Sequence, residues 1–140
     1  MKLAKLIPIV AAIPSYKSFH RPSVEYTGHG NLLCYDSFGG RWFRSSEEAV
    51  RLGCNQVIDD FKNEDAYVNY NTIYGYWGIM DSDFGYAWGW APDEDYTTEI
   101  EFEIELIDNP ASDMYRKWGE PVLIIAPSQK SPPYDFYMEI

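Results

Sequence analysis

The sequence predicts an α+β domain with a mostly antiparallel β-sheet, one main helix at about residues 46–62 and two short helices. Three patterns support this fold class: an apolar stripe at helical spacing, a strictly alternating segment, and a short continuous apolar run. The chain has 140 residues, 46% of them apolar, which suits one domain with a real core. We therefore expect a single domain over residues 1–140, with an apolar N-terminal arm at 1–13 and a Pro-rich C-terminal tail at 127–140.

The first half of the chain predicts a β-hairpin followed by the main helix. Asn31–Tyr35 and Arg41–Arg44 are apolar and aromatic segments separated by a loop that contains two glycines, and a shorter strand is expected at Val24–Thr27. Ser45 and Glu48 match a capping box, which predicts Ser45 as the helix N-cap. The residues that then form one apolar stripe are Val50, Cys54, Val57, Ile58 and Phe61.

The middle of the chain is rich in glycine and aromatic residues. A brief strand is expected at Ala66–Asn69, followed by a short helix that Asn69 or Asn71 caps and Gly78 ends. Met80–Trp90 reads as a loop whose last residues are suited to a strand. The dense aromatic side chains of this region predict core packing, with part of the cluster left for a partner surface.

Two further elements are expected near the C-terminus. A second short helix is predicted from Pro110 through about Lys117, with Gly119 ending it. Pro121–Ala126 is a fully apolar strand, which we expect to pair beside the alternating segment.

The alternating segment, Tyr96–Ile107, is the most informative feature of the sequence. Such a strand buries one face only, which favours an antiparallel sheet. Alternate residues of a strand lie about 6.6 Å apart on the same face, so four glutamates would form a straight row of negative charge. The apolar face would hold Ile100, Phe102, Ile104 and Leu106, and the other face Glu99, Glu101, Glu103 and Glu105.

The charge of the chain is negative and unevenly placed. The net charge is −11; residues 1–51 hold seven Lys or Arg and four acids, whereas residues 52–140 hold four Lys or Arg and eighteen acids. No Lys or Arg occurs between Lys62 and Arg116. Because affinity for DNA and RNA depends on neutralising phosphates, this composition argues against direct nucleic-acid binding and favours a basic protein partner.

The residue types of catalytic and metal sites are few and badly spaced. The segment Asp81–Gly85 begins like a calcium loop, but Gly85 and Pro92 occupy positions where that loop needs ligands. His20 and His29 match no nucleophile pattern, and no phosphate-binding or dinucleotide-binding motif occurs. We therefore expect no enzyme activity, no cofactor and no metal site.

The two cysteines and the N-terminal segment each leave two interpretations. Cys34 and Cys54 lack metal-ligand spacing and sit in apolar surroundings, which favours reduced core thiols, with a disulfide as the alternative. Residues 1–13 faintly resemble a secretory signal, but Pro8 interrupts the apolar run, so a packed arm is preferred. No segment has the length of a membrane span.

Several segments between about residues 35 and 105 follow the order strand, capped helix, Val-x-x-Asn segment, short helix, Gly-Trp, strand. The residues that form this pattern are Trp42–Val50, Tyr67–Asn71, Tyr74, Gly78, Phe84–Gly85, Gly89–Trp90 and Ile100–Phe102. Together they resemble an uncharacterised protein family that occurs in bacteriophages and mobile elements of gut Firmicutes. The resemblance implies a phage or mobile-element origin and no catalytic residues.

The functional expectation is a non-enzymatic binding module located in the cytoplasm of a host bacterium. A row of carboxylates imitates a nucleic-acid backbone, so an inhibitor that occupies the basic surface of a host defence protein is one specific form of this expectation. The alternatives are a structural or assembly protein of a virion or mobile element, or a charged face that only keeps the fold soluble. The predicted partner-binding residues are Glu99, Glu101, Glu103 and Glu105, extended by Asp93, Glu94 and Asp95.

Overall fold

A computed structural model describes residues 23–64, 67–92 and 99–137. The predicted N-terminal arm, 1–13, lies outside these ranges, as do His20 and the acidic turn of Asp93, Glu94 and Asp95. The described elements, in chain order, are β1 (Val24–Tyr26), β2 (Leu32–Asp36), β3 (Arg41–Ser45), α1 (Glu47–Glu64), β4 (Val68–Asn69), α2 (Tyr70–Trp77), α3 (Asp83–Ala87), β5 (Trp88–Trp90), β6 (Phe102–Ile107), α4 (Asp113–Trp118), β7 (Val122–Pro127) and β8 (Tyr134–Asp135).

The fold class is α+β, as predicted, and the chain divides into two compact units. The first unit combines the residues up to Ser46 with Glu103–Ala126, and the second combines Glu47–Phe102 with the residues from Pro127 onward. Each unit is therefore built from two separate stretches of the chain. That the whole chain is one domain stays a prediction.

A five-stranded sheet with the order β1-β3-β2-β7-β6 dominates the first unit. Strands β2 and β3 form the predicted antiparallel hairpin, and β7 lies beside β6 as expected. The pairs β1–β3 and β2–β7 are parallel, so this sheet is mixed. Parallel neighbours need long crossover connections, and the sequence of a strand does not show which distant strand it pairs with.

The hairpin turn depends on one buried carboxylate. Asp36 is 1% exposed, and its two oxygens accept hydrogen bonds from the N–H groups of Phe38 (3.1 Å) and Gly39 (3.2 Å). Gly40 completes the turn at φ 71°, in the left-handed region that glycine adopts without strain. The turn fixes the register in which Tyr35 faces Trp42.

Helix α4 covers one side of this sheet. Its buried residues, Met114 and Trp118, join an apolar cluster on the sheet, and the rings of Trp118 and Trp42 lie 4.5 Å apart. Ser112 caps the helix, which therefore begins after Pro110 rather than at it, and Gly119 ends it at φ 76° as predicted. The sheet residues of the cluster are Leu33, Tyr35, Trp42, Val122, Ile124 and Ala126.

Helices α1 and α2 form the core of the second unit. The indole N–H of Trp77 donates to the carbonyl of Val50 at 3.1 Å. A Cβ at Gly53 would lie 2.6 Å from Trp77 Cδ1, so only glycine allows this close packing. The predicted apolar stripe of α1 is confirmed for Val50, Cys54, Val57 and Phe61, which are buried, whereas Ile58 is half-buried.

The predicted N-cap of α1 is wrong. Ser45 is the last residue of β3, and the helix begins at Glu47. The Ser45 hydroxyl is buried and has no hydrogen-bond partner among the described residues. Pairing with β2 through Leu32 keeps Ser45 in the sheet, so tertiary structure prevails over the local capping pattern.

The rest of the second unit is a small antiparallel sheet with two short helices. The sheet has the order β4-β5-β8. Asn69 caps α2 by accepting from the Thr72 N–H, and Gly78 ends it, as predicted. Two features differ from the prediction: residues Asp83–Ala87 are helical instead of loop, and the segment predicted as a tail contributes β8.

No helix in the described part of the chain is long and apolar enough to cross a membrane.

Candidate functional site

The alternating segment forms a shorter strand than predicted. Strand β6 covers Phe102–Ile107, while Glu99 and Glu101 precede it in non-strand backbone, and residues 96–98 lie outside the described ranges. The backbone of Glu101 binds the C-terminal segment instead: its N–H donates to Ser131 Oγ and its carbonyl accepts from the Ser128 N–H, both at 2.9 Å. These long-range bonds engage the Glu101 backbone, and the strand begins after it, later than the sequence alternation does.

The alternating segment shows the predicted contrast between a buried face and a solvent-exposed face only in part. On the apolar side Ile100 is buried, and Phe102 packs edge-on against Trp90 at 5.7 Å. Burial then decreases along the strand, since Ile104 is half-buried and Leu106 is 37% exposed. This exposure agrees with the position of β6 at the edge of the sheet, where β7 is its one neighbour among the described strands.

The glutamates of the segment also differ in their exposure to solvent. Glu99 and Glu105 are exposed, whereas Glu101 and Glu103 are half-buried. Ile107 points to the same face of β6 as Glu103 and Glu105, because alternate residues of a strand share a face. Ile107 packs against the apolar cluster that α4 covers. The carboxylates of β6 therefore lie on the α4 side of the sheet, at its edge, and Glu105 is the most accessible of the glutamates in the strand.

Each described arginine forms an ion pair with a carboxylate outside the acidic segment. Glu99, Glu101 and Glu105 form no ion pair with any residue in the described ranges. The hydrogen bonds of Glu120 raise the pKa of Arg44 above its ordinary value and keep that guanidinium engaged. The four pairs are Arg41–Glu25 (2.6 Å), Arg44–Glu120, Arg51–Glu47 (2.9 Å) and Arg116–Asp113 (2.7 Å).

The residue types that could bind a metal or act as nucleophiles are dispersed. Over residues 23–64, 67–92 and 99–137, no group of three or more His, Cys, Asp or Glu could hold a metal ion. Cys34 and Cys54 are both buried thiols that are not joined in a disulfide, which is the interpretation that the sequence favours. Burial raises the pKa of the Cys34 thiol to about 12, which keeps it protonated and unreactive at neutral pH.

Part of the aromatic cluster is core and part is surface. Tyr70, Tyr74, Trp77 and Trp90 are buried at 1% exposure or less, which confirms the core prediction for these four. Tyr67, Tyr76 and Tyr86 are exposed, and Tyr67 lies with its ring 5.4 Å from that of Phe136. No sequence pattern predicts the contact between Tyr67 and Phe136, because it joins residues far apart in the chain.

These features define an α+β protein with a mixed sheet and an acidic edge strand. The chain belongs to a family of unknown function (DUF6353), whose family model matches residues 13–137. This match confirms the sequence-based assignment to an uncharacterised family. No curated protein and no solved structure matches the chain.

Proposed function

We propose that this protein is a non-enzymatic binding module whose acidic segment, Glu99–Glu105, docks on a basic surface of a protein partner. The observation that supports it most directly is that Glu99 and Glu105 are exposed and form no ion pair with a described residue. Asp93, Glu94 and Asp95 precede this segment in the sequence and add to its charge. The proposal assigns no catalytic residue and no cofactor.

Electrostatics gives this segment a physical role in association. Potentials of one sign over a surface attract partners of opposite sign and raise association rates, and salt screens the effect. Residues 63–115 contain no Lys or Arg, so no basic side chain near the segment in sequence weakens its negative potential. Binding should therefore be fast and strongly weakened by salt.

The biological setting of the proposal comes from the sequence resemblance described above. A phage or mobile element gains from proteins that block nucleic-acid-handling defence systems of the bacterial host. We propose that the partner is such a defence protein in the host cytoplasm, and that the carboxylates occupy its nucleic-acid-binding surface. The segment would then compete with DNA or RNA for the same basic groove.

The test is affinity capture from a lysate of phage-infected bacteria with three forms of the protein. The first is the wild type, and the second carries Glu99→Lys and Glu105→Lys, which reverse the two exposed charges without touching the core. The matched control carries Asp59→Lys and Asp81→Lys, two exposed acids outside the segment whose reversal changes the net charge equally. Capture is compared at about 50 mM and about 300 mM salt.

The proposal expects a basic nucleic-acid-binding protein that wild type and control capture at low salt, and that the reversed variant does not capture. Equal capture by all three forms would overturn it. Capture of virion proteins that persists at high salt would instead support the structural or assembly role.

A further inference from the structure

Strand β6 has a backbone edge with which no other described strand pairs. It is the last strand in the order β1-β3-β2-β7-β6, so among the described residues one of its two edges pairs with β7 and the other pairs with no strand. An edge strand presents a row of N–H and C=O groups that can pair with an extended segment from another chain. The outward edge is therefore a template for a further strand.

The side chains of β6 indicate which residue types an added strand would carry. On one face Ile104 is half-buried and Leu106 is 37% exposed, which leaves apolar surface for a neighbouring strand to cover. On the other face Glu103 and Glu105 alternate with them, and Glu105 is exposed without an ion pair to a described residue. Cross-strand pairs of opposite charge stabilise a sheet, as do pairs of apolar side chains.

We infer that the partner binds by strand addition: an extended segment with Lys or Arg at alternate positions and apolar residues between them pairs with the edge of β6. Its basic side chains lie on the glutamate side of β6, where they pair with the exposed Glu105, and its apolar side chains cover Ile104 and Leu106. This inference rests on the proposed function and specifies how the partner binds there.

A second copy of this chain does not fit the same edge. Pairing of two β6 strands would bring glutamates of one copy close to those of the other, and like charges across a sheet are destabilising. Such charge on an edge strand prevents self-association while it still accepts a basic strand. The occupant is therefore a different protein.

The experiment uses the full-length protein and a labelled peptide of about eight residues in which lysine and valine alternate. A peptide of the same composition, with its lysines and valines in separate blocks, controls for charge alone. Two further peptides carry N-methyl groups on either the lysine or the valine amides. Successive N–H groups of a strand point to opposite edges, so each methylated peptide loses the hydrogen-bond donors of one edge and keeps those of the other. Binding is measured by fluorescence anisotropy at low salt.

We expect the alternating peptide to bind more tightly than the blocked isomer. One methylated peptide should bind about tenfold more weakly or worse, since it loses several backbone hydrogen bonds, and the other should keep its affinity. The Glu105→Lys variant should also bind about tenfold more weakly, whereas Asp81→Lys should bind like the wild type.

Strand addition is overturned if both methylated peptides and the blocked isomer bind as well as the alternating peptide. In that case, loss of binding in Glu105→Lys would still support acidic docking, so the proposed function would survive. If the Glu105→Lys variant bound the alternating peptide as tightly as the wild type does, any strand pairing would occur at another edge. That result would overturn the inference. Absence of binding by every peptide would also overturn it, and the lysate capture would test the proposed function independently.

Discussion

The contact between Asn71 and the residues that begin α3 is expected to stabilise the second unit measurably. Asn71 is buried, its amide N–H donates to the Ser82 carbonyl, and its amide oxygen accepts from the Ser82 N–H, both at 3.0 Å. Each such bond contributes about 1 kcal/mol, so Asn71→Ala should lower the free energy of unfolding by about 2 kcal/mol. Ser82 also caps α3 through the Gly85 N–H at 2.9 Å.

Gly85 packs directly against the same side chain. A Cβ there would lie 1.9 Å from Asn71 Oδ1 and 3.1 Å from the Asn71 backbone N. Gly85→Ala should therefore displace the amide, lose both of its bonds and strain the backbone, at about 3 kcal/mol in total. In the double variant the side-chain clash is gone, and alanine favours the helix by up to about 1 kcal/mol.

The two substitutions should consequently be far from additive. We expect the double variant to lose about 2 kcal/mol where the separate effects sum to about 5 kcal/mol, a coupling of about 3 kcal/mol. Urea unfolding followed by tryptophan fluorescence measures each free energy. Effects that add to within about 0.5 kcal/mol would refute the close approach of Gly85 to Asn71.

Three further perturbations test the two cores. Trp118→Ala removes a buried ring from the first unit and should cost about 3–5 kcal/mol in urea unfolding; a loss below about 1 kcal/mol would contradict the packing on Trp42. Gly89→Ala places a Cβ 2.1 Å from the Val68 carbonyl oxygen, so it should cost about 3 kcal/mol or more by breaking the β4–β5 pairing, and an unchanged stability would refute that pairing. Burial raises the pKa of Cys34 from 9.0 to about 12, so the unfolded thiol ionises first and stability should fall by about 1.4 kcal/mol per pH unit across that range. The Cys34→Ala variant should lack this contribution, and identical pH dependence in the two proteins would contradict the burial of the thiol.

Local patterns predicted the elements that depend on local interactions. The apolar stripe of α1 and the hairpin of β2 and β3 follow from residue spacing and from a short polar turn, and both are present. The short helix that Asn69 caps and Gly78 ends was also predicted, because both caps act within one turn of the helix. These elements need few long-range contacts to be specified.

Elements that depend on distant residues were missed or misplaced. The beginning of β6 is set by bonds between Glu101 and the segment around Ser131, thirty positions further along the chain. Strand β8 forms in a segment whose prolines suggested a tail, because β5 provides its pairing partner. No pattern within a single segment reveals such partners.

The candidate site shows the same division between local and distant information. The alternation of glutamate and apolar residues was read correctly as a strand at residues 102–107, and the uncompensated charge was visible in the composition. The half-burial of Glu101 and Glu103 was not foreseen, since it depends on which strands and helices lie next to them. The structure therefore makes Glu99 and Glu105, rather than Glu101 and Glu103, the better residues for charge reversal.

The central claim is that the acidic segment binds a basic protein surface, and the most direct measurement is the salt dependence of affinity for the captured partner. The dissociation constant should rise steeply between about 50 mM and about 300 mM salt for the wild type and for the Asp59→Lys, Asp81→Lys control. The Glu99→Lys, Glu105→Lys variant should bind much more weakly at low salt. A dissociation constant that neither salt nor this charge reversal changes would contradict the claim.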